Sequence, residues 1–285
     1  MVGHSALDAG ILVRIQVPQQ KLPLSAKIPA LQGGYFCGII SYLSTKMFVK
    51  GVKKAKQSMF PIFRLEPRGA QAEVGVNGTG FFINSRGYFI SVAHVFDGAS
   101  KSTKFLFLGR LPEQLQNPPL EIKEIARDDD LDILLGRIET KNSVYFYLSN
   151  KIPEEGRSVC VSGYPLAQIS QNPQGGLEVG GVRRYFQPSF VLDRAILKSQ
   201  NEKGKIRNHD GFLVRDVGLF GMSGGPVFDV NGRVVGMQGS VTQPRESKNS
   251  SGRTITVENA VVISSKQILK FLKGQKIRTN LLGGF

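Results

Sequence analysis

Ser223 stands in GLFGMSGGPVF, residues 218–228, and the pattern G-x-S-G-G-P arises by chance at roughly one in a million positions. A serine in such a turn is either a small residue among glycines or a nucleophile. As a nucleophile it needs a base, a group that orients the base, and donors for an oxyanion. The chain has three histidines. His4 lies near the N-terminus, and His209 falls in IRNHDGF, a polar stretch that reads as a loop. His94 instead ends an apolar strand pattern, FISVAHVFDG, where it is either a satisfied strand-end residue or the base. The acid with the clearest chemical tension is Asp132, set directly against the apolar run ILLGRI. Desolvating a carboxylate there is costly unless it is paired. Asp130, in the acidic turn just before, is the other candidate. The trio His94, Asp132, Ser223 has spacings of 38 and 91 residues and the residue types of nucleophilic acyl transfer.

Holding three distant side chains together takes a rigid scaffold. From Met59 onward, MFPIFRLE, GTGFFIN, GYFISVAHVF, KFLFLG and DDDLDILLGRIE are short apolar runs separated by turn residues, which predicts strands. ETKNSVYFYLSNKIPEEG reads as a connection between halves. Strand patterns resume in RSVCVSGYPL, SFVLDRAIL, GGPVFDVNGRVVGMQGSV and ENAVVISS. Asn231-Gly232 predicts a tight hairpin, because both residues tolerate positive φ. SSKQILKFLKG carries a serine cap, helical apolar spacing and a closing glycine. The expected organisation is an extension over 1–55, strand-rich halves over 56–145 and 146–275, a helix closing the second, and a tail over 276–285.

The formal net charge of +15 favours weak, salt-sensitive contact with polyanions. The basic residues gather in two sets, Lys46 to Lys56 and Arg183 to Arg207, and no nucleic-acid motif accompanies either. Cys37 and Cys160 make no disulfide framework, and with three scattered histidines they give no metal-ligand spacing. No metal or cofactor is expected. Residues 1–30 lack the pattern of a signal peptide. Tyr35 to Val49 is too short and interrupted for a membrane span, and reads either as a packed extension or as an amphipathic helix lying on a membrane. These features lean slightly to the cytoplasm, with an extracytoplasmic site as the alternative.

The order of the trio, with His and Asp in the first half and Ser in the second, is that of the two-barrel serine proteases. GTGFFINSRGYFISVAHVF, LDILLGRI and GMSGGPVFDVNGRVVGMQGS resemble the three motif blocks of that trypsin-like family. GRSVCVSGYPL is similar to a strand of its HtrA-like branch, and the resemblance runs from about 59 to 273. It implies an all-β fold of two six-stranded antiparallel barrels with a C-terminal helix, a protein or peptide substrate, and a triad of Ser223, His94 and Asp132. It further implies an oxyanion hole made by the N–H groups of Gly221 and Ser223, and a P1 pocket lined by Val217, Gly239, Ser240 and Val241. Digestive relatives place an acid just before the serine, whereas this chain has Met222, so activation by a new N-terminus is not expected. The residues after the closing helix are too few for a PDZ domain. No histidine follows Ser223, which argues against a Glu- or Gln-selective pocket built around one and leaves a small or medium apolar P1 side chain as the expectation. The competing reading is a catalytically silent module of the same fold that binds peptides or polyanions.

Overall fold

The computed structural model describes residues 47–68, 71–97, 106–109, 111, 120–140, 143–165, 168–171, 177–180, 183–200, 206–216, 218–242, 245–248, 254–275 and 277. Cys37, His4, Val217 and nearly all of the apolar segment Tyr35–Val49 lie outside these residues. Strands β1 (Met59–Arg68), β2 (Gln71–Phe82), β3 (Tyr88–Ser91), β4 (Leu106–Gly109), β5 (Leu120–Asp128) and β6 (Ile133–Ile138) form one closed barrel in the order β1-β2-β3-β6-β5-β4. The second half runs β7 (Ser158–Gly163), β8 (Gln168–Gln171), β9 (Leu177–Gly180), β10 (Tyr185–Gln200), β11 (Ile206–Val214), β12 (Pro226–Asp229), β13 (Val234–Val241), β14 (Arg245–Lys248), β15 (Thr254–Val257) and β16 (Ala260–Ser264). Six of these close a second barrel, β10-β11-β16-β13-β12-β7, while β8-β9 and β14-β15 form separate two-stranded sheets. All pairings between these strands are antiparallel.

Alternation along the strands fills each barrel. Phe60 meets Phe82 and Phe89 at centroid separations of 4.9 and 5.0 Å, in the tilted and edge-on arrangements that aromatic quadrupoles prefer. Gly136 leaves the room they need: a Cβ there would fall 2.3 Å from the Phe89 ring. In the second barrel Val159, Val161, Phe212, Val227 and Val262 are fully or almost fully buried. The connection between halves carries Phe146, which stacks on Phe228 of β12 at 5.9 Å and meets Phe81 of β2 edge-on at 6.1 Å, so that residues of both barrels share one apolar cluster.

Two sequence expectations change. Residues 49–58, mostly assigned to the extension, form helix α1 (Val49–Ser58), docked on the second barrel by Phe48 and Gly51 against Phe228. Its apolar side is short, which is why its periodicity is weak, and Lys50, Lys53 and Lys56 stay exposed. His209 is on β11, paired with Leu197, and not in a loop. Backbone pairing with β10 places this polar stretch in a strand.

The Asn231-Gly232 turn joins β12 to β13 as expected, with Gly232 at φ 75° and Asp229 Oδ1 accepting from the N–H groups of Asn231 and Arg233 at 2.9 Å each. Helix α2 (Ser265–Gly274) starts at Ser264, whose hydroxyl accepts from the Gln267 N–H at 3.2 Å. Ser264→Ala should cost about 1 kcal/mol of stability by stranding that donor, read as a lowered midpoint in chemical denaturation.

Candidate active site

His94 sits in a short 3-10 helix, Ala93–Phe96, that follows β3. Asn77 Nδ2 donates to the Val95 carbonyl at 3.0 Å and ties this helix to β2. The turn before β6 presents Asp132 in the left-handed region, φ 53°, which short acidic side chains tolerate better than most. From there its carboxylate takes two bonds from one residue: Oδ1 accepts the His94 backbone N–H at 2.9 Å, and Oδ2 lies 2.8 Å from His94 Nδ1. Asp132, not Asp130, is therefore the acid that meets His94. Arg127 braces the pair from behind, joining Asp97 just after the 3-10 helix to Asp129 in the Asp132 turn.

Desolvation is the largest single influence on His94 and lowers its pKa. The hydrogen bond and charge of Asp132, helped by Asp97 and opposed by Arg127, outweigh it, so the imidazole is raised above its ordinary value. A raised folded value means that this pairing adds stability below the ordinary imidazole pKa. That contribution is lost as pH climbs through the raised value. Cys160 is the opposite case: burial pushes its thiol up to about 12, so it is a core residue and not a nucleophile.

Ser223 lies in the loop between β11 and β12. The loop needs glycine at Gly221 and Gly224, with φ of 91° and 83°. A Cβ at Gly221 would fall 2.5 Å from the Tyr164 carbonyl, and one at Gly224 would fall 2.2 Å from both Ser91 Oγ and the Thr79 carbonyl. Met222, between Gly221 and Ser223, is fully buried in the second core beside Val161 and Val227. An apolar side chain thus fixes the loop. Among the described residues, the Gly221 and Ser223 N–H groups donate to no backbone carbonyl, leaving two donors available at adjacent turns of the chain.

Thr79, which sequence reasoning passed over inside GTGFF, connects these parts. Its N–H donates to the Ser223 carbonyl at 2.9 Å, and its Oγ1 donates to the Gly221 carbonyl at 2.8 Å. The same Oγ1 accepts from the Tyr164 N–H at 3.1 Å. Neighbouring Gly78 lets the His94 and Ser223 segments converge, since a Cβ there would meet Val95 at 2.5 Å and the Ser223 carbonyl at 2.8 Å. Among the described residues Ser223 Oγ has no hydrogen-bond partner, so the structure brings the Ser and His segments onto one strand without closing a Ser–His bond.

Of the expected pocket residues, Gly239 is buried, while Ser240 and Val241 are exposed at the end of β13, paired with Val261 and Ala260. Phe220, 79% exposed beside Gly221, is an exposed aromatic that composition did not single out. Among the described residues no group of three or more side chains could hold a metal ion. No helix among them is long and apolar enough to cross a membrane.

Comparison with known proteins bears on this arrangement. The family model described as "Trypsin-like peptidase domain" matches residues 78–237, more than half of the chain. A probable periplasmic serine endoprotease DegP-like from Pseudomonas fluorescens is 24% identical over 228 residues, covering 79% of this chain and 39% of that protein. A namesake from Pseudomonas putida GB-1 is 26% identical over 181 residues, covering 61% of this chain and 31% of that protein. The chain therefore spans under two fifths of the length of these curated relatives. Among solved structures, a protease from M. tuberculosis in its active form superposes with a TM-score of 0.56 at 20% identity, covering 82% of this chain and 86% of that one. The HtrA-type protease AlgW with a decapeptide gives 0.57 at 15% identity, covering 80% and 66%. At these identities the structural likeness carries the two-barrel, chymotrypsin-like fold.

Thr79→Val keeps the shape at the barrel junction but strands the Gly221 carbonyl and the Tyr164 N–H. It should destabilise by about 1–3 kcal/mol for each stranded group, read by denaturation. The His94 ring, followed by NMR, should titrate above the ordinary imidazole value, and Asp132→Asn should bring it down. An unchanged midpoint in that variant would break the assigned coupling.

Proposed function

The chain belongs to the trypsin-like peptidase family, and from that premise we propose that it is an active serine endopeptidase working through Ser223, His94 and Asp132. The observation that carries this reading is the double grip of Asp132 on the His94 N–H and ring, at 2.9 and 2.8 Å, with Gly78 lying against both Val95, next to His94, and the Ser223 carbonyl. That grip leaves Nδ1 as the proton-bearing nitrogen and directs Nε2 as base. Ser223 Oγ attacks the substrate carbonyl, and its proton passes to His94 Nε2. The developing imidazolium is stabilised by Asp132, and the proton then goes to the leaving amine. The oxyanion of the tetrahedral intermediate is received by the Gly221 and Ser223 N–H groups, whose freedom from backbone partners among the described residues supports the role. Water attack on the acyl-enzyme, with His94 again as base, completes the turnover. The open Ser–His contact fits this mechanism, since catalytic hydrogen bonds commonly tighten only with substrate in place.

The substrates are proteins or peptides. The relatives are described as serine endoproteases, which supports cleavage within polypeptide chains, and protein processing or quality control is the setting we propose. With Met222 anchoring the nucleophile loop by apolar burial, the site needs no newly cut N-terminus to form.

A fluorophosphonate probe tests the reading directly. Wild type should be labelled, and Ser223→Ala and His94→Ala should not. Folded wild type that never labels would instead favour a silent binding module. Asp132→Asn should lower kcat/KM by roughly 10^3–10^4-fold, with the fold intact by circular dichroism. Gly221→Val should abolish turnover, because φ 91° and the nearby Tyr164 carbonyl leave no room for a side chain. Retained peptidase activity in that variant would remove Gly221 from the oxyanion hole. The acidic limb of kcat/KM against pH should fall at the raised His94 value, activity being lost as the base becomes protonated.

A further inference from the structure

The second barrel carries a groove of about 930 Å3, walled by residues 148–154 of the connection, residues 156–159 leading into β7, and the β12–β13 hairpin from Asp229 to Val235. Its floor is apolar. Leu148, Val159 and Val235 are buried, Ile152 packs against the second core, and Val230 stands 43% exposed at the rim. Two strands separate this groove from the candidate active site. Ser158 opens β7 at the groove, and Gly163 closes the strand about 16 Å away at the usual rise, where a Cβ would meet Met222 Cα at 2.8 Å. Asp229 ends β12 at the groove, and Pro226, at the other end of that strand, follows the Ser223 loop.

Some polar groups of the lining are already engaged. Asp229 Oδ1 accepts from the Asn231 and Arg233 N–H groups, and its Oδ2 lies 3.5 Å from Arg233 Nε. Ser149 Oγ accepts from the Lys151 N–H at 3.1 Å and donates to the Lys151 carbonyl at 3.2 Å. Others are left over. Among the described residues Lys151 and Arg157 make no ion pair, and the side chains of Asn150, Ser158 and Asn231 make no hydrogen bond. Glu154 is likewise unpaired there, so the leftover cations outnumber the leftover carboxylate. An alkyl chain would satisfy the floor but not the two amides and the hydroxyl of the walls; a ligand with its own amide groups satisfies both. The two cations suit a carboxylate, which the Arg157 guanidinium can hold with two parallel N–H bonds. We infer that this groove binds the carboxy-terminal end of a short apolar peptide. Its side chains lie on Leu148, Ile152 and Val230, its amides meet Asn150, Ser158 and Asn231, and its terminal carboxylate meets Lys151 and Arg157. Peptide-bond hydrolysis makes such ends on the acyl side of each cut, but the inference stands whether or not Ser223 is a nucleophile.

An N-acetylated pentapeptide ending in valine, leucine and valine, as the free acid and as the C-terminal amide, would be titrated calorimetrically into the full chain bearing Ser223→Ala, which keeps the probe whole. Dodecanoate would be titrated beside it. The acid should bind at least about tenfold more tightly than the amide. Adding Lys151→Gln and Arg157→Gln should bring the two forms to within about twofold of each other. Both side chains are exposed, so the thermal midpoint of that variant should match its parent. Should the double change not fold, Arg157→Gln alone should lower the acid-to-amide ratio by about threefold or more. Equal binding of acid and amide, or binding of neither, would overturn the inference. A preference for the acid that survives the loss of both cations would place the peptide elsewhere, the Ser223 site included, and would overturn it as well. Tighter binding by dodecanoate than by the peptide acid would do the same, giving the groove to a lipid carboxylate. The peptidase reading fails separately, through a wild type that takes no fluorophosphonate label while the groove still binds the acid.

Discussion

Thr79 is the constraint on which the arrangement of the cleft depends. One residue of the first barrel supplies a backbone donor to the Ser223 carbonyl and a hydroxyl that donates to the Gly221 carbonyl. The hydroxyl also accepts from Tyr164, and Ser91 Oγ donates to the Thr79 carbonyl at 2.8 Å. Two barrels packed by apolar contact alone could slide by fractions of an ångström, because hydrophobic burial is nondirectional. Hydrogen bonds at a fully buried residue remove that freedom, since a shift would leave polar groups without partners and without water. The position of the Ser223 segment against β2 is thus set by directional bonds.

The loop that carries Ser223 is held by exclusion as much as by attraction. Its positive φ angles and close carbonyls admit only glycine at Gly221 and Gly224, while Met222 is drawn into the second core. Backbone bonds from Gly224 and Gly225 to Gln238 complete the frame and couple it to β13.

Charge is handled in layers. Asp132 faces His94 directly, and Arg127 stands one layer out, linking Asp97 and Asp129 on the two segments that carry the pair. Arg127 holds the segments together yet opposes protonation of the ring, whereas Asp132 and Asp97 favour it. The net elevation of the imidazole is the balance of opposed effects and belongs to the group of residues as a whole.

The sequence by itself determined the local features. Short alternating runs fixed the strands, Asn231-Gly232 fixed a hairpin, and Ser264 fixed a helix start, because each follows from propensities and bonds within a few residues. The motif blocks carried the family and the candidate residues His94, Asp132 and Ser223. Helix α1 escaped because its few buried positions follow from docking on Phe228, a residue far along the chain. His209 was misread because a ladder bond to β10 overrides a polar composition. The choice between Asp130 and Asp132 was likewise tertiary: both acids share one turn, and only the approach of the 3-10 helix decides which carboxylate meets His94. Thr79 looks ordinary in sequence, a small polar residue in a strand. Its weight comes from burial and from partners many residues away, which only the folded chain brings within bonding distance.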